Sequence, residues 1–282
     1  MSIKICLAPV AAMVLGLAGS ASAGFAVYGT SAAGTSTTLF GSGDRRLDTL
    51  AFTGSATTMT SADFVRFGGG RLVNSTGSFG WTDPIARDTN TSGHVHGANP
   101  DRADLSTSFG GENAGTGTLA EVFGSPLGYK NLSWIVDSED NASWTLDLFL
   151  SNTGAFAPDA NPASVELSVL ERGSNSDFSI AGITGFSNSG APILTAALHI
   201  LRNQTTNTGW TLNTLEISGA QQVAGVGISL PSDWGTLYGV RVSAVAADSG
   251  PDIVAVGMIP APGPISLAAA AGLIALPRRR YH

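Results

Sequence analysis

The sequence predicts an all-β protein, a single β-sandwich of jelly-roll-like type, from three observations. Apolar and polar residues alternate with a period of two in many short runs. Gly, Asn, Asp and Ser clusters separate those runs. No helical period persists through the body of the chain. Composition agrees: 36 Gly and 13 Pro among 282 residues, with only 12% charged, argue against a helical bundle or coiled coil, and 43% apolar residues supply the core of one large domain.

In chain order, the first half offers short strands at Phe25 to Tyr28, Leu50 to Thr53, Asp63 to Phe67 and Arg71 to Val73. From Thr82 to Thr118 the chain is rich in Asp, Asn and Gly and nearly lacks apolar periodicity. A loop of that length is uncommon in a compact domain and is often functional. The second half is more regular. Trp144, Leu146, Leu148 and Leu150 point one way, and Thr145, Asp147, Phe149 and Ser151 the other. Val165, Leu167 and Val169 repeat the pattern, as do Val240, Val242, Ala244 and Ala246. Trp210 to Ile217 and Val223 to Leu230 are further strands. Ala191 to Leu201 reads either as a helix or as a buried strand, and Arg202 to Gly209 as a hairpin turn with Asn207 to Gly209 at its tip.

Both ends carry transport signals. Met1 to Ala23 has one positive charge at Lys4, an apolar run from Ile5 to Leu17 and a closing Ala21-Ser22-Ala23, the pattern of a cleaved secretory signal peptide. Cleavage there removes Cys6, the single cysteine, so the expected mature body, residues 24–259, forms no disulfide and offers no thiolate ligand or nucleophile. Residues 260–282 begin with Pro260-Ala261-Pro262-Gly263-Pro264, continue through the apolar stretch Ile265 to Leu276, and close on Arg278, Arg279 and Arg280. Such a stretch rises only about 18 Å as a helix, short of the hydrocarbon core. The arginines are expected to stay cytoplasmic and the body to lie outside the membrane.

The tail, IPAPG followed by a short apolar helix and RRR, resembles the PEP-CTERM sorting signal in its PAPG variant, with Ala261 where that family commonly has Glu. The resemblance covers Pro260 to Arg280. It implies export by the secretory machinery, cleavage by signal peptidase, transient inner-membrane anchoring, and processing by an exosortase-type enzyme during delivery to the surface or the exopolysaccharide matrix. Leu170 to Phe178 (LERGSNSDF) and Gly250 to Gly263 (GPDIVAVGMIPAPG) resemble, more loosely, other surface proteins bearing this tail.

All 21 acidic residues lie in the body, against Lys130 and nine scattered arginines, which argues against a nucleic-acid partner and suits a soluble extracellular surface. The long loop holds a candidate cation site. Asp88, Asn90 and Ser92 alternate and Gly93 follows, matching the first half of a calcium loop, but the closing position is Asn99, with Asp101 or Asp104 as the nearest carboxylates. The competing reading is an Asx-rich turn. His94 and His96 would share one side of a strand, and a metal there needs a third ligand from His199, Asp101 or Asp104. Asp137, Glu139 and Asp140 crowd one turn. Glu171 and Asp177, with Asp248 and Asp252, form either a cation site or salt bridges to Arg172 and Arg241; the turn chemistry of Gly-Ser-Asn-Ser-Asp favours the latter.

The five tryptophans read first as core residues, Trp144 most plainly on an apolar strand face; Trp81 and Trp234, beside Asp83 and Asp233 in turn-like settings, are the candidates for stacking on sugars. No G-x-S-x-G, H-E-x-x-H or P-loop motif is present, and Gly115 to Ala120 imitates a dinucleotide fingerprint without a preceding strand. The expectation is therefore a non-enzymatic, structural or adhesive protein of the cell surface or extracellular matrix, with no firm cofactor beyond calcium in the loop. The alternatives are a carbohydrate-binding module, calcium-assisted, and behind it a secreted glycan hydrolase.

Overall fold

Alternating sequence becomes alternating burial in some strands and continuous burial in others. The computed structural model describes residues 25–40, 44–60, 63, 67–76, 79–81, 132, 135–138, 143–150, 156–159, 161–213 and 220–259. The expected signal peptide, the long loop from Thr82 to Thr118 and the tail from Pro260 onward lie outside them. Among the described residues the protein is mostly β, without an α-helix. Its first strands are β1 (Ala26–Gly29), β2 (Ser36–Phe40), β3 (Asp44–Ala51), β4 (Thr58–Thr60), β5 (Phe67–Thr76) and β6 (Phe79–Trp81). There follow β7 (Val136–Ser138), β8 (Ser143–Leu150), β9 (Leu167–Arg172), β10 (Phe178–Phe186) and β11 (Pro192–Leu194). The chain closes with β12 (Leu198–Ile200), β13 (Thr206–Leu212), β14 (Gln221–Ser229), β15 (Gly239–Ala244) and β16 (Asp252–Met258).

Every strand pairing is antiparallel. A five-stranded sheet runs β1-β14-β9-β16, with β13 also on β14, and a six-stranded sheet runs β11-β10-β15-β8-β5, with β12 also on β10. A small sheet, β2-β3-β4, and the pair β6-β7 complete the set.

Two apolar clusters hold these sheets together. In the first, Trp144, Leu146 and Leu148 of β8, Ile180 of β10 and Val240 and Val242 of β15 meet Leu167 and Val169 of β9, Val226 and Ile228 of β14 and Val256 of β16. In the second, Leu47 and Leu50 of β3 and Met59 of β4 meet Leu170, Val223 and Val254 from the opposite face of the five-stranded sheet. That sheet is therefore covered on both faces, and every residue of β9 is buried, its charged end included. The close approach needs bare backbone. A Cβ on Gly227 would lie 2.6 Å from Phe52 and 2.8 Å from Val165.

Of the layer formed by β2, β3 and β4, the sequence pattern foresees only the end of β3, within Leu50 to Thr53, for a specific reason. Pairing between β2 and β3 shifts register between Ser36 and Thr37, opposite Thr49 and Leu47. This bulge puts Leu47 and Leu50 into one cluster although they are three residues apart, which hides the strand from a period-two reading. The ambiguous Ala191 to Leu201 forms the strands β11 and β12. The hairpin expected over Arg202 to Gly209 is not formed: a 3₁₀ turn over Arg202–Gln204 leads from β12, paired with β10, to β13, paired with β14 in the other large sheet. Asn207 and Gly209 instead form an irregularity within β13, where Gly209 has φ +87° and donates its N–H to Asn207 Oδ1 at 2.8 Å.

Candidate functional site

The segments Glu171 to Asp177 and Asp248 to Asp252 meet in space because β9 and β16 are neighbours, with Arg172 opposite Asp252. Each contains a left-handed turn: Gly173 and Ser174 have φ +105° and +64°, Ser249 and Gly250 +65° and +58°. Gly and Ser carry these conformations with little or only local strain. Ser176 Oγ donates to the Ser249 carbonyl at 2.8 Å, and the Asp177 N–H donates to the Asp248 carbonyl at 2.9 Å, which locks the two turns together.

Side chains then pair across the turns. Arg172 Nη2 lies 2.6 Å from Asp252 Oδ2, and both groups are largely buried. Asp177 accepts from the Arg202 backbone N–H at 2.6 Å, from Nε at 3.0 Å and from Nη2 at 3.1 Å. Those bonds to Arg202 hold the Asp177 carboxyl below its ordinary range and the guanidinium above its own. They also hold the 3₁₀ turn, because Asp177 fixes the backbone at Arg202.

Glu171 is the unbalanced member. It is 1% exposed; Oε2 accepts from the Ser174 N–H at 2.7 Å, while Oε1 has no hydrogen-bond partner. Burial, and then the charge of Asp252, push it up to about 8. Glu166, at the start of the same stretch of chain, is buried too and likewise pushed up to about 8 by burial, with Asp159 adding to the shift. Both carboxyls therefore hold their protons in the folded protein above the range in which ordinary ones lose them, up to about pH 8.

Beside the turns, Asp177, His199 and Asp248 bring one ligand-type atom each to within 4.8 Å of one another. These three are the residues that could hold a divalent cation among the described residues, yet Arg202 already occupies Asp177 and brings a positive charge to the same place. Ser179 Oγ is 3.0 Å from His199 Nδ1, so a serine, a histidine and an aspartate fall in sequence. His199 Nε2 is 3.9 Å from Asp248 Oδ1, beyond hydrogen-bond reach, and Asp248 Oδ2 is engaged by the Val245 N–H at 2.8 Å. The arrangement is an ion-paired clasp between two turns and lacks the contact a nucleophilic relay requires.

The sequence-derived candidates are distributed as follows. Salt bridging, one of the two readings of Glu171, Asp177, Asp248 and Asp252, is realised at Asp252 with Arg172 and at Asp177 with Arg202; Arg241 pairs with Asp147. Trp234 is 7% exposed and belongs to the first apolar cluster, so its ring faces the core, where the Gly182 backbone makes room for it. Trp81 ends β6 opposite Val136. Asp88, Asn90, Ser92, His94, Asp101 and the residues expected to form a sorting motif, Pro260, Ala261, Pro262, Gly263, Arg278, Arg279 and Arg280, lie outside the described residues. Sequence reasoning missed Arg202 as the partner of Asp177, since no spacing rule links residues 25 positions apart. It also passed over Asp147, although an acid on the face opposite Trp144, Leu146 and Leu148 was a signal. Comparison with known protein families, with curated proteins and with solved structures gives no match.

Proposed function

We propose that the chain is an exported, non-enzymatic protein of the cell surface or extracellular matrix, structural or adhesive in role, delivered through its C-terminal tail. The single observation that carries this reading is the tail itself, Pro260-Ala261-Pro262-Gly263, the apolar stretch and Arg278 to Arg280, paired with an N-terminal signal-like segment. The junction supports it. Strand β16 ends at Met258, and the Ile259 N–H donates to the Glu166 carbonyl at 2.9 Å, so the motif starts directly after a chain segment tied into the core. A sorting enzyme would thus find its motif on a firmly held stem. The ion-paired clasp supports a structural role, since its carboxylates are spent on holding two turns.

The body is, in this reading, a jelly-roll-like sandwich. The first apolar cluster joins two large antiparallel sheets, and from β8 to β16 the chain passes repeatedly from one to the other, the habit of a double-sheet jelly roll. The decisive experiment is the intact mass of the protein recovered from the surface and medium of its native host. Loss of residues 1–23 together with a C-terminal fragment starting near Pro262 is expected. A full-length chain confined to the cytoplasm would overturn the reading.

A further inference from the structure

The outer face of the six-stranded sheet carries a row of charge that the clasp and the tail do not use. Register places Arg71 of β5 and Arg241 of β15 directly opposite Asp147 of β8, one on each side. Asp147 is fully buried, and both its oxygens are taken: Oδ1 by Arg241 Nε at 2.7 Å, Oδ2 by Arg71 Nη2 at 2.7 Å and Arg241 Nη2 at 3.1 Å. One carboxylate between two guanidiniums leaves a net positive charge on a body that is otherwise strongly acidic.

That charge opens into a pocket of about 480 Å³, walled by both arginines and by the turn Ser189-Gly190-Ala191-Pro192. The volume falls in the range of small-ligand sites. Arg71 has a 46% exposed side chain, lines the pocket and spends one N–H on Asp147, which leaves it donors for a ligand. Its guanidinium lies 5.9 Å from the Phe149 ring centroid. Phe149 in turn packs on Phe186, centroids 5.8 Å apart, and Phe186 is itself 48% exposed. The pocket therefore offers the Arg71 guanidinium and the Ser189 hydroxyl, which also lies 2.8 Å from Ser187 Oγ; beside it, opposite Pro192 in the pairing of β10 with β11, stands the exposed Phe186 ring.

We propose that this pocket binds a carboxylate-bearing sugar, a hexuronate unit of an acidic polysaccharide. A planar carboxylate matches the arginine fork in two parallel hydrogen bonds. The apolar face of a pyranose ring suits the exposed Phe186, and its hydroxyls suit Ser189. The inference deepens the proposed surface or matrix role by naming a partner class, and it rests on that reading only for its biological setting.

The test uses the purified full chain and a tetramer of galacturonate, titrated by calorimetry, with neutral galactose tetramer and inorganic sulfate as comparison probes. The uronate is expected to bind, to weaken at least tenfold between 50 and 500 mM salt, and to bind at least tenfold better than either comparison probe. Arg71→Gln should lose at least tenfold of this affinity while Arg241 keeps Asp147 paired. Ser189→Asp, in an exposed turn, should do the same through repulsion with an unchanged melting temperature. No uronate binding, equal binding of the neutral sugar or of sulfate, or full affinity in both variants would each overturn the proposal. These outcomes concern the pocket alone, whereas the mass measurement on native material tests the export reading.

Discussion

At Asp147 a fully buried carboxylate sits in mid-strand with an arginine in register on each side, and both oxygens are engaged. At the end of β9, Glu171 is as deeply buried but has Asp252 as well as Arg172 for a neighbour, and one of its oxygens has no hydrogen-bond partner. The same chemical group thus meets opposite surroundings in one molecule. Where strand register sets two arginines against one acid, both carboxylate oxygens are paired. Where register sets a second acid beside the one nearby arginine, Asp252 opposite Arg172, burial of Glu171 favours its neutral form.

The comparison is broken most forcefully at its well-paired end. Arg241→Ala removes the two-pronged partner and leaves Asp147 buried with Arg71 alone; unfolding by denaturant should show a loss of about 3–5 kcal/mol. At the other end the sign reverses. Glu166 and Glu171, both pushed up to about 8, bind protons in the folded state that the unfolded chain has released, so stability is fully present below about pH 4.5 and falls as pH rises toward 8. Glu171→Gln should flatten that slope and raise stability at pH 8 by about 1–2 kcal/mol, read from melting curves between pH 5 and 9.

Asp177→Asn sharpens the contrast from the acid side. The depressed Asp177 contributes stability above its ordinary range and loses it as pH falls through its folded value, so the variant should cost about 1 kcal/mol at pH 7 and nothing in strong acid. The smallest effect belongs to Arg46 and Asp48, 2.9 Å apart and about a third exposed each. Arg46→Ala should change the denaturation midpoint by the equivalent of less than about 0.5 kcal/mol, and a larger loss would mean that the small sheet depends on its charges.

Much of the β architecture was legible because it depends on local alternation. The strands around Leu146, Leu167, Val226 and Val242 lie where their apolar residues recur at every second position. Most of the strand holding Leu47 and Leu50 was obscured by a bulge, and the hairpin expected over Arg202 to Gly209 gave way to a 3₁₀ turn held by a hydrogen bond from outside it. The site was half legible. Glu171, Asp177, Asp248 and Asp252 stood out as turn-borne acids, but their partners come from β12's following turn and from the neighbouring strand, at separations no motif encodes. Trp234, beside Asp233 in a turn, takes the core reading rather than the sugar-stacking one, and the bare Gly182 backbone provides its space.

By itself the sequence determined which segments alternate, where turns break them, the acidic balance of residues 24–259 and the apolar runs near both ends, because these are properties of residues and their immediate neighbours. Only the tertiary structure decided that the five-stranded sheet is covered on both faces and that Asp147 lies between two arginines. It also decided that one Glu171 oxygen is buried without a hydrogen-bond partner. Burial and pairing are set by which strands become neighbours, and that choice is made by packing across the whole chain.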